Sequence, residues 1–128
     1  MKKNKIYIAF CLIFIFILSG CYKEPIEIEP NACFTADVTT VEERDLVTFT
    51  FCGAGQFIVL YVGDEGHVYN EPENIGKEIN YETMTTTNRY RDAGTYTATC
   101  VATSYGDFGN EKKQDIQELV ITVTPETE

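Results

Sequence analysis

The sequence predicts an all-β domain of two packed antiparallel sheets, and three observations predict it. Short apolar or threonine-rich runs recur from Asn31 to Thr124, separated by clusters of Gly, Asp and Asn, the punctuation of strands and turns. Several of these runs alternate apolar and polar residues with a period of two, as a strand with one buried face must. No long segment carries a helical period. Six or seven short strands in about 95 residues suit a two-sheet sandwich.

Residues 1–20 stand apart from that domain. Lys2, Lys3 and Lys5 give a positive start, the apolar run from Ile6 to Leu18 follows, and small residues precede Cys21. That order describes a secretory signal. The run is too short for a permanent span: as a helix it would rise only about 20 Å, against the roughly 20 residues needed to cross the hydrocarbon.

The four residues Leu18-Ser19-Gly20-Cys21 resemble the lipobox of bacterial lipoproteins. The resemblance implies cleavage before Cys21, a diacylglycerol on its sulfur and a further acyl chain on the new amino group. Each buried CH₂ contributes about 0.8 kcal/mol, so more than one chain anchors stably. The alternative is ordinary cleavage with Cys21 left free. The partner so implied is a membrane, and the expected place is the cell envelope, at its outer membrane.

Removing residues 1–20 leaves seven bases against 20 acids, a net charge of −13. So acidic a chain repels nucleic-acid phosphates, and no nucleic-acid partner is expected. Residues 21–30 comprise Cys21 and a flexible tether. Two prolines and three glutamates in Tyr22–Pro30 give an extended linker reaching roughly 30 Å at full stretch. Its start, Lys23-Glu24, resembles the surface-export signals of Bacteroidetes lipoproteins, with Pro25 departing from their acidic continuation.

The domain itself is expected over residues 31–124, with 125–128 as a tail. Strands are expected near 31–37, 46–52, 56–62, 78–86, 95–103 and 116–124, with a shorter edge piece near 67–70. In the fifth, Tyr96, Ala98, Cys100 and Ala102 share the face to be buried, and in the second Val47, Phe49 and Phe51 do. Phe57–Val62 is continuously apolar, as for a central strand covered on both faces. Leu119, Ile121 and Val123 supply the last inward face. Ile116 has the opposite parity, which predicts a bulge near Gln117 or Glu118.

The stretch from Tyr90 to Thr103, with Asp92-Ala93-Gly94-Thr95-Tyr96 at its centre, resembles the signature of the polycystic-kidney-disease (PKD) domain, an immunoglobulin-like sandwich. Asp92, Gly94 and Tyr96 fit a tyrosine corner, whose hydroxyl bonds the backbone just upstream. Leu60-Tyr61-Val62-Gly63-Asp64-Glu65-Gly66 is similar to the family's Trp-Asp-Phe-Gly-Asp-Gly turn. Leu60 stands for its Trp, Tyr61 for its first Asp, and Glu65 is inserted. Asn31-Ala32-Cys33-Phe34-Thr35 is similar to its first strand. The similarity spans roughly residues 30–124, and it implies a spacer or adhesive unit.

Three cysteines remain in the domain: Cys33, Cys52 and Cys100. If the first two strands form a hairpin, a register pairing Asp37 with Thr48 sets Cys33 opposite Cys52. Opposed residues in a non-hydrogen-bonded pair lie about 4.5 Å apart at Cα, inside disulfide range. A Cys33–Cys52 bridge with a buried free Cys100 is expected; a Cys52–Cys100 bridge and a fully reduced domain are the alternatives.

The residues give little purchase for catalysis. His67 and Ser104 are the only histidine and serine after the signal, Ser104 lacks a nucleophile-elbow context, and no CxxC or HxxxH spacing exists for zinc. No cofactor is expected. Asp64 and Glu65 share a turn and are weak calcium candidates, without the alternation of a calcium loop. Tyr69, Tyr81, Tyr105 and Phe108 are candidate ligand-facing aromatics.

The expected function is non-catalytic: a lipid-anchored module that contacts an unknown protein or glycan, or serves as a spacer. The alternatives are an accessory glycan-binding lipoprotein of a polysaccharide-uptake system, which requires an exposed aromatic pair on one face, and a small hydrolase. The last requires two carboxylates within about 10 Å of each other in a cleft. Palmitate labelling tests the anchor: label is expected in the full chain expressed in a bacterial host and absent from Cys21→Ala.

Overall fold

The computed structural model describes Gly20 and residues 22–127; residues 1–19 of the expected export signal and the proposed acylation site at Cys21 lie outside the described residues. Eight strands follow in order: β1 (Phe34–Ala36), β2 (Thr40–Glu42), β3 (Leu46–Phe51), β4 (Phe57–Tyr61), β5 (Lys77–Glu78), β6 (Thr85–Arg89), β7 (Gly94–Gly106) and β8 (Glu111–Thr124). They form two sheets, one ordered β1-β3-β6 and the other β2-β8-β7-β4-β5. Half of the described residues are strand, so the all-β expectation holds, and one of the sheets is curled into a half-barrel.

The buried faces follow strand parity. Ala32, Phe34, Val47, Phe49 and Phe51 from one sheet meet Ile58, Leu60, Ala98, Cys100, Ala102, Ile121 and Val123 from the other. The pleat sends alternate side chains to opposite sides, so each strand gives the core every second residue, and β7 is in addition covered on its other face, with Ala98 to Ser104 all buried. Small residues on β7, Ala98 and Ala102, leave room for the phenylalanines opposite.

The first hairpin has the expected register: β1 pairs with β3 through Phe34↔Phe51 and Thr35↔Thr50. One step further out Cys33 and Cys52 form a disulfide, with Cα atoms 5.0 Å apart. Cys100 is a free, buried thiol.

Several expectations are corrected. The proposed strand 78–86 is two strands, because the Asn80 side chain accepts the Glu82 and Thr83 N–H groups at 2.9 and 3.3 Å and turns the chain between β5 and β6. Residues 67–70 are turn, not an edge strand. The antiparallel rule has an exception in β2, a short strand that runs parallel to β8 and is too brief to show alternation. No bulge interrupts β8: the ladder runs unbroken from Gly94↔Val123 to Gly106↔Glu111, with Ile116 opposite Val101 on the outer face. Both of these strands are longer than expected, and together they absorb most of the loop between residues 103 and 116. β4 is covered on one face only; Phe57 is 57% exposed.

The tether also differs from a free linker. The Glu24 carbonyl accepts the Asp107 N–H at 2.8 Å, and Lys23 and Lys113 pair with Glu111 and Glu29 at 2.9 and 3.0 Å. Residues 23–29 therefore lie along the β7–β8 hairpin. In the tail, Glu126 meets Arg44 at 3.1 Å.

Two expectations follow for stability. The disulfide closes a separation of 19 residues, and a loop of that size contributes about 3 kcal/mol by restricting the unfolded chain. The Cys33→Ala/Cys52→Ala variant is expected to lose that much in denaturant titrations. The second concerns alkaline pH. Burial, helped by the Asp115 charge, pushes the Cys100 thiol up to about 12, and burial also raises the Tyr90 phenol. Both folded-state pKa values lie above the unfolded ones, so the stabilisation is complete below the unfolded values. It is lost as pH rises from about 8.5 for the thiol and about 10 for the phenol, at roughly 1.4 kcal/mol per pH unit for each. Cys100→Ala is expected to abolish the decline below about pH 10.

Candidate functional site

The end of the molecule where β7 begins holds a cleft. Its scaffold is a pair of stacked tyrosines. Tyr90, just after β6, points inward and is 1% exposed, and its hydroxyl donates to the Val62 carbonyl at 2.8 Å. The Tyr96 ring lies 4.5 Å from it, and the Tyr96 hydroxyl donates to the Asp92 carbonyl at 2.7 Å. These bonds tie the crossover from β6 to β7 against the end of β4. Gly94 starts β7 at the foot of this corner.

The turn after β4 closes the other side. Gly63 has φ +85, and a Cβ there would lie 2.5 Å from the Thr97 carbonyl oxygen, so only glycine allows the turn to approach β7. The Gly63 N–H donates to the His67 carbonyl and the His67 N–H to the Asp64 carbonyl, each at 2.9 Å. That brings the Asp64 carboxylate to 2.8 Å from His67 Nδ1. Its second oxygen accepts from the Asn88 amide at 3.1 Å, and the Asn88 oxygen accepts from Lys77 Nζ. Asn88 is 5% exposed; a buried amide left without such partners would cost about 1–3 kcal/mol.

This chain from Lys77 through Asn88 and Asp64 to His67 floors a cavity of about 550 Å³, whose rim includes Arg89, Arg91, Asp92 and Tyr96. Arg89 and Arg91 flank the inward Tyr90 and so share the outward parity of their strand. Arg89 donates to the Arg44 carbonyl at 2.8 Å, while Arg91 has neither a side-chain hydrogen bond nor an ion pair among the described residues. Arg44 itself lines the adjoining hollow with Arg89 and Arg91. Four of the seven cations beyond the signal thus gather at one end of a strongly acidic domain.

The cleft sets the side chains of Lys77, Arg89 and Arg91 beside the carboxylates of Asp64, Glu65 and Asp92. The hydroxyl that shares this cleft with the Asp64–His67 pair is that of Tyr96, which donates to the Asp92 carbonyl. Ser104 and Cys100 are wholly buried, and Ser104 lies seven residues along β7 from Thr97, roughly 23 Å at strand spacing. The calcium candidates separate: Asp64 is turned inward to Asn88 and His67, whereas Glu65 is exposed. Among the described residues no three His, Cys, Asp or Glu side chains gather as a metal site.

The candidate aromatics do not form one platform. Tyr69 packs on Tyr61 with centroids 5.3 Å apart, Tyr81 is exposed in the β5–β6 turn, and Phe108 is exposed at the β7–β8 tip. Tyr105 instead meets Phe57 edge-on at 5.9 Å, on the outer face of the larger sheet, where Ile116 and Val120 are also exposed. Phe57 was concealed by its continuous apolar run, although its parity opposite to Ile58 and Leu60 already sets it on the outer face. Lys77, Asn88, Arg89 and Arg91 carry no motif; the one available signal is the spacing of the two arginines across a buried tyrosine. Compared with known protein families, with curated proteins and with solved structures, the chain finds no match.

Proposed function

We propose that the protein is a lipid-anchored, non-catalytic binding module with a PKD-like, immunoglobulin-type domain, and that it takes a carboxylate-bearing ligand in the cleft at the start of β7. The sheet order supports the fold in this proposal. In that fold the second strand lies between the first and fifth, and the third, sixth and seventh make the opposite sheet. Here β3 lies between β1 and β6, and β7 lies between β4 and β8. The tyrosine corner of Tyr96 and Asp92 fits the same plan, while the Cys33–Cys52 bridge within one sheet departs from the inter-sheet bridge of antibody domains.

The single observation that carries the ligand class is the convergence of Arg44, Lys77, Arg89 and Arg91 on one end of a chain whose net charge after the signal is −13. Guanidinium groups bind carboxylates through paired N–H donors, and among the described residues no acceptor engages the Arg91 side chain. Asp64, Glu65 and Asp92 near the rim limit the charge excess, which favours a ligand with hydroxyl or amide groups beside its carboxylate. Residues 23–29, which follow Cys21, lie along the far end of the β7–β8 hairpin, which supports a cleft facing away from a membrane that holds an acylated Cys21.

A second function is favoured by the Phe57–Tyr105 pair: stacking of a neutral glycan on the outer sheet face, in an accessory role in polysaccharide uptake. An array of uronic-acid glycans, neutral glycans and acidic peptides separates the two. Binding to carboxylate-bearing probes is expected, weakened at least tenfold in Arg89→Ala/Arg91→Ala and by raised salt, and unchanged in Phe57→Ala. Hits confined to neutral glycans and lost in Phe57→Ala favour the second function and overturn the first.

A further inference from the structure

The opposite end of the β7–β8 hairpin carries features that ligand binding in the cleft does not use. Its tip turns on two successive left-handed residues, Asp107 (φ 48) and Phe108 (φ 52). A bulky residue is strained there, where glycine or asparagine is ordinarily found. Phe108 is nonetheless 81% exposed. Strain and a solvated aromatic ring at one position both call for an offset that the folded domain does not supply.

The segment leading from Cys21 is fastened to this tip. Besides the Asp107 bond to its carbonyl, Glu24 accepts the Phe108 N–H on its carboxylate at 3.3 Å. Ile26 lies over Gly106, where a Cβ would come within 2.8 Å of its Cγ1 atom, so the glycine is what lets the strap lie flat. Three Cα steps separate Cys21 from Glu24, at most about 11 Å. A linker with a free reach of roughly 30 Å is thereby shortened to its first two or three residues. Whatever surface holds the Cys21 lipid must lie beside the hairpin tip.

We propose that this tip is a second membrane contact, in which Phe108, with the 80% exposed Tyr22, enters the headgroup region of the bilayer that holds the Cys21 acyl chains. The inference rests on acylation of Cys21. Exposed aromatic rings favour the boundary between headgroups and acyl chains, where apolar side chains sit about 5–10 Å deep. Charge near the tip is partly balanced: Glu29 pairs with Lys113 and Glu111 with Lys23, and Glu24 accepts the Phe108 N–H, while Asp107 and Glu27 have no ion pair among the described residues. The strap and the tip together fix the domain upright. Twelve residue steps of β7, roughly 40 Å, then raise the cationic cleft above the membrane.

The chain has no tryptophan, so Phe108→Trp in the full acylated protein is a single reporter at an exposed site. The protein is reconstituted in phosphatidylethanolamine–phosphatidylglycerol vesicles with and without bromine on the upper acyl chains. At least twofold quenching by the brominated lipid and a blue-shifted emission are expected for Phe108→Trp, and no quenching for Asp45→Trp at the far end. Adding Gly106→Val to the Phe108→Trp protein displaces Ile26 and is expected to lower the quenching at least twofold, with the circular dichroism of both proteins unchanged. Equal emission from Phe108→Trp in the two vesicle types, in protein shown by palmitate label to be acylated, overturns this inference alone. Failure of the full chain to take label or to float with vesicles overturns the anchor and this inference together.

Discussion

Thirteen successive residue pairs, from Gly94 opposite Val123 to Gly106 opposite Glu111, hold β7 and β8 in one register, and the rest of the structure is arranged on that ladder. Its inward face supplies Ala98, Cys100, Ala102, Ile121 and Val123 to the core. Its neighbours on either side, β4 and β2, complete the larger sheet. A ladder without a bulge keeps side-chain direction constant over its whole length. Residues at its two ends are therefore fixed relative to each other.

Each end has its own chemistry. At the start of β7 the packed rings of Tyr90 and Tyr96 pin the crossover, and the arginines on either side of Tyr90 line one cleft with Lys77 and His67. At the end of β7 the hairpin tip is gripped by residues 23–29. Neither end disturbs the core: among the described residues every buried side-chain nitrogen and oxygen has a partner. Asn88 shows what that requires, since it joins the ammonium of Lys77 to the carboxylate of Asp64 and would be costly to bury without them.

Much of the fold was legible in the residues. The alternation in Leu46–Phe51 and Thr95–Thr103 identified the core-facing side chains, although on β7 Thr99, Val101 and Thr103 of the opposite face are buried too; the hairpin register led directly to the Cys33–Cys52 bridge, and strand parity to the buried Cys100. Reading failed where parity was obscured or outweighed. The run Phe57–Tyr61 is apolar on both faces, which concealed that only Ile58 and Leu60 point inward. Ile116 looked misplaced because an apolar residue was assumed to need the core, whereas it lies on an outer face beside Val101. The Asn80 side chain broke a run that its threonines alone would have continued as strand.

The sequence by itself determined the faces and the near neighbours: a period of two sorts side chains to core or solvent, and short loops set the register of adjacent strands. It also carries the order of charge, apolar run and cysteine from which the membrane anchor is proposed. Only the tertiary structure decided which polar groups from distant parts of the chain meet. Asp64 reaches Asn88 across 24 positions and Phe108 reaches Glu24 across 84, through contacts that depend on sheet order and crossover. Strand periodicity has no term for that: it says which way a side chain points, and not what lies opposite once two sheets have packed.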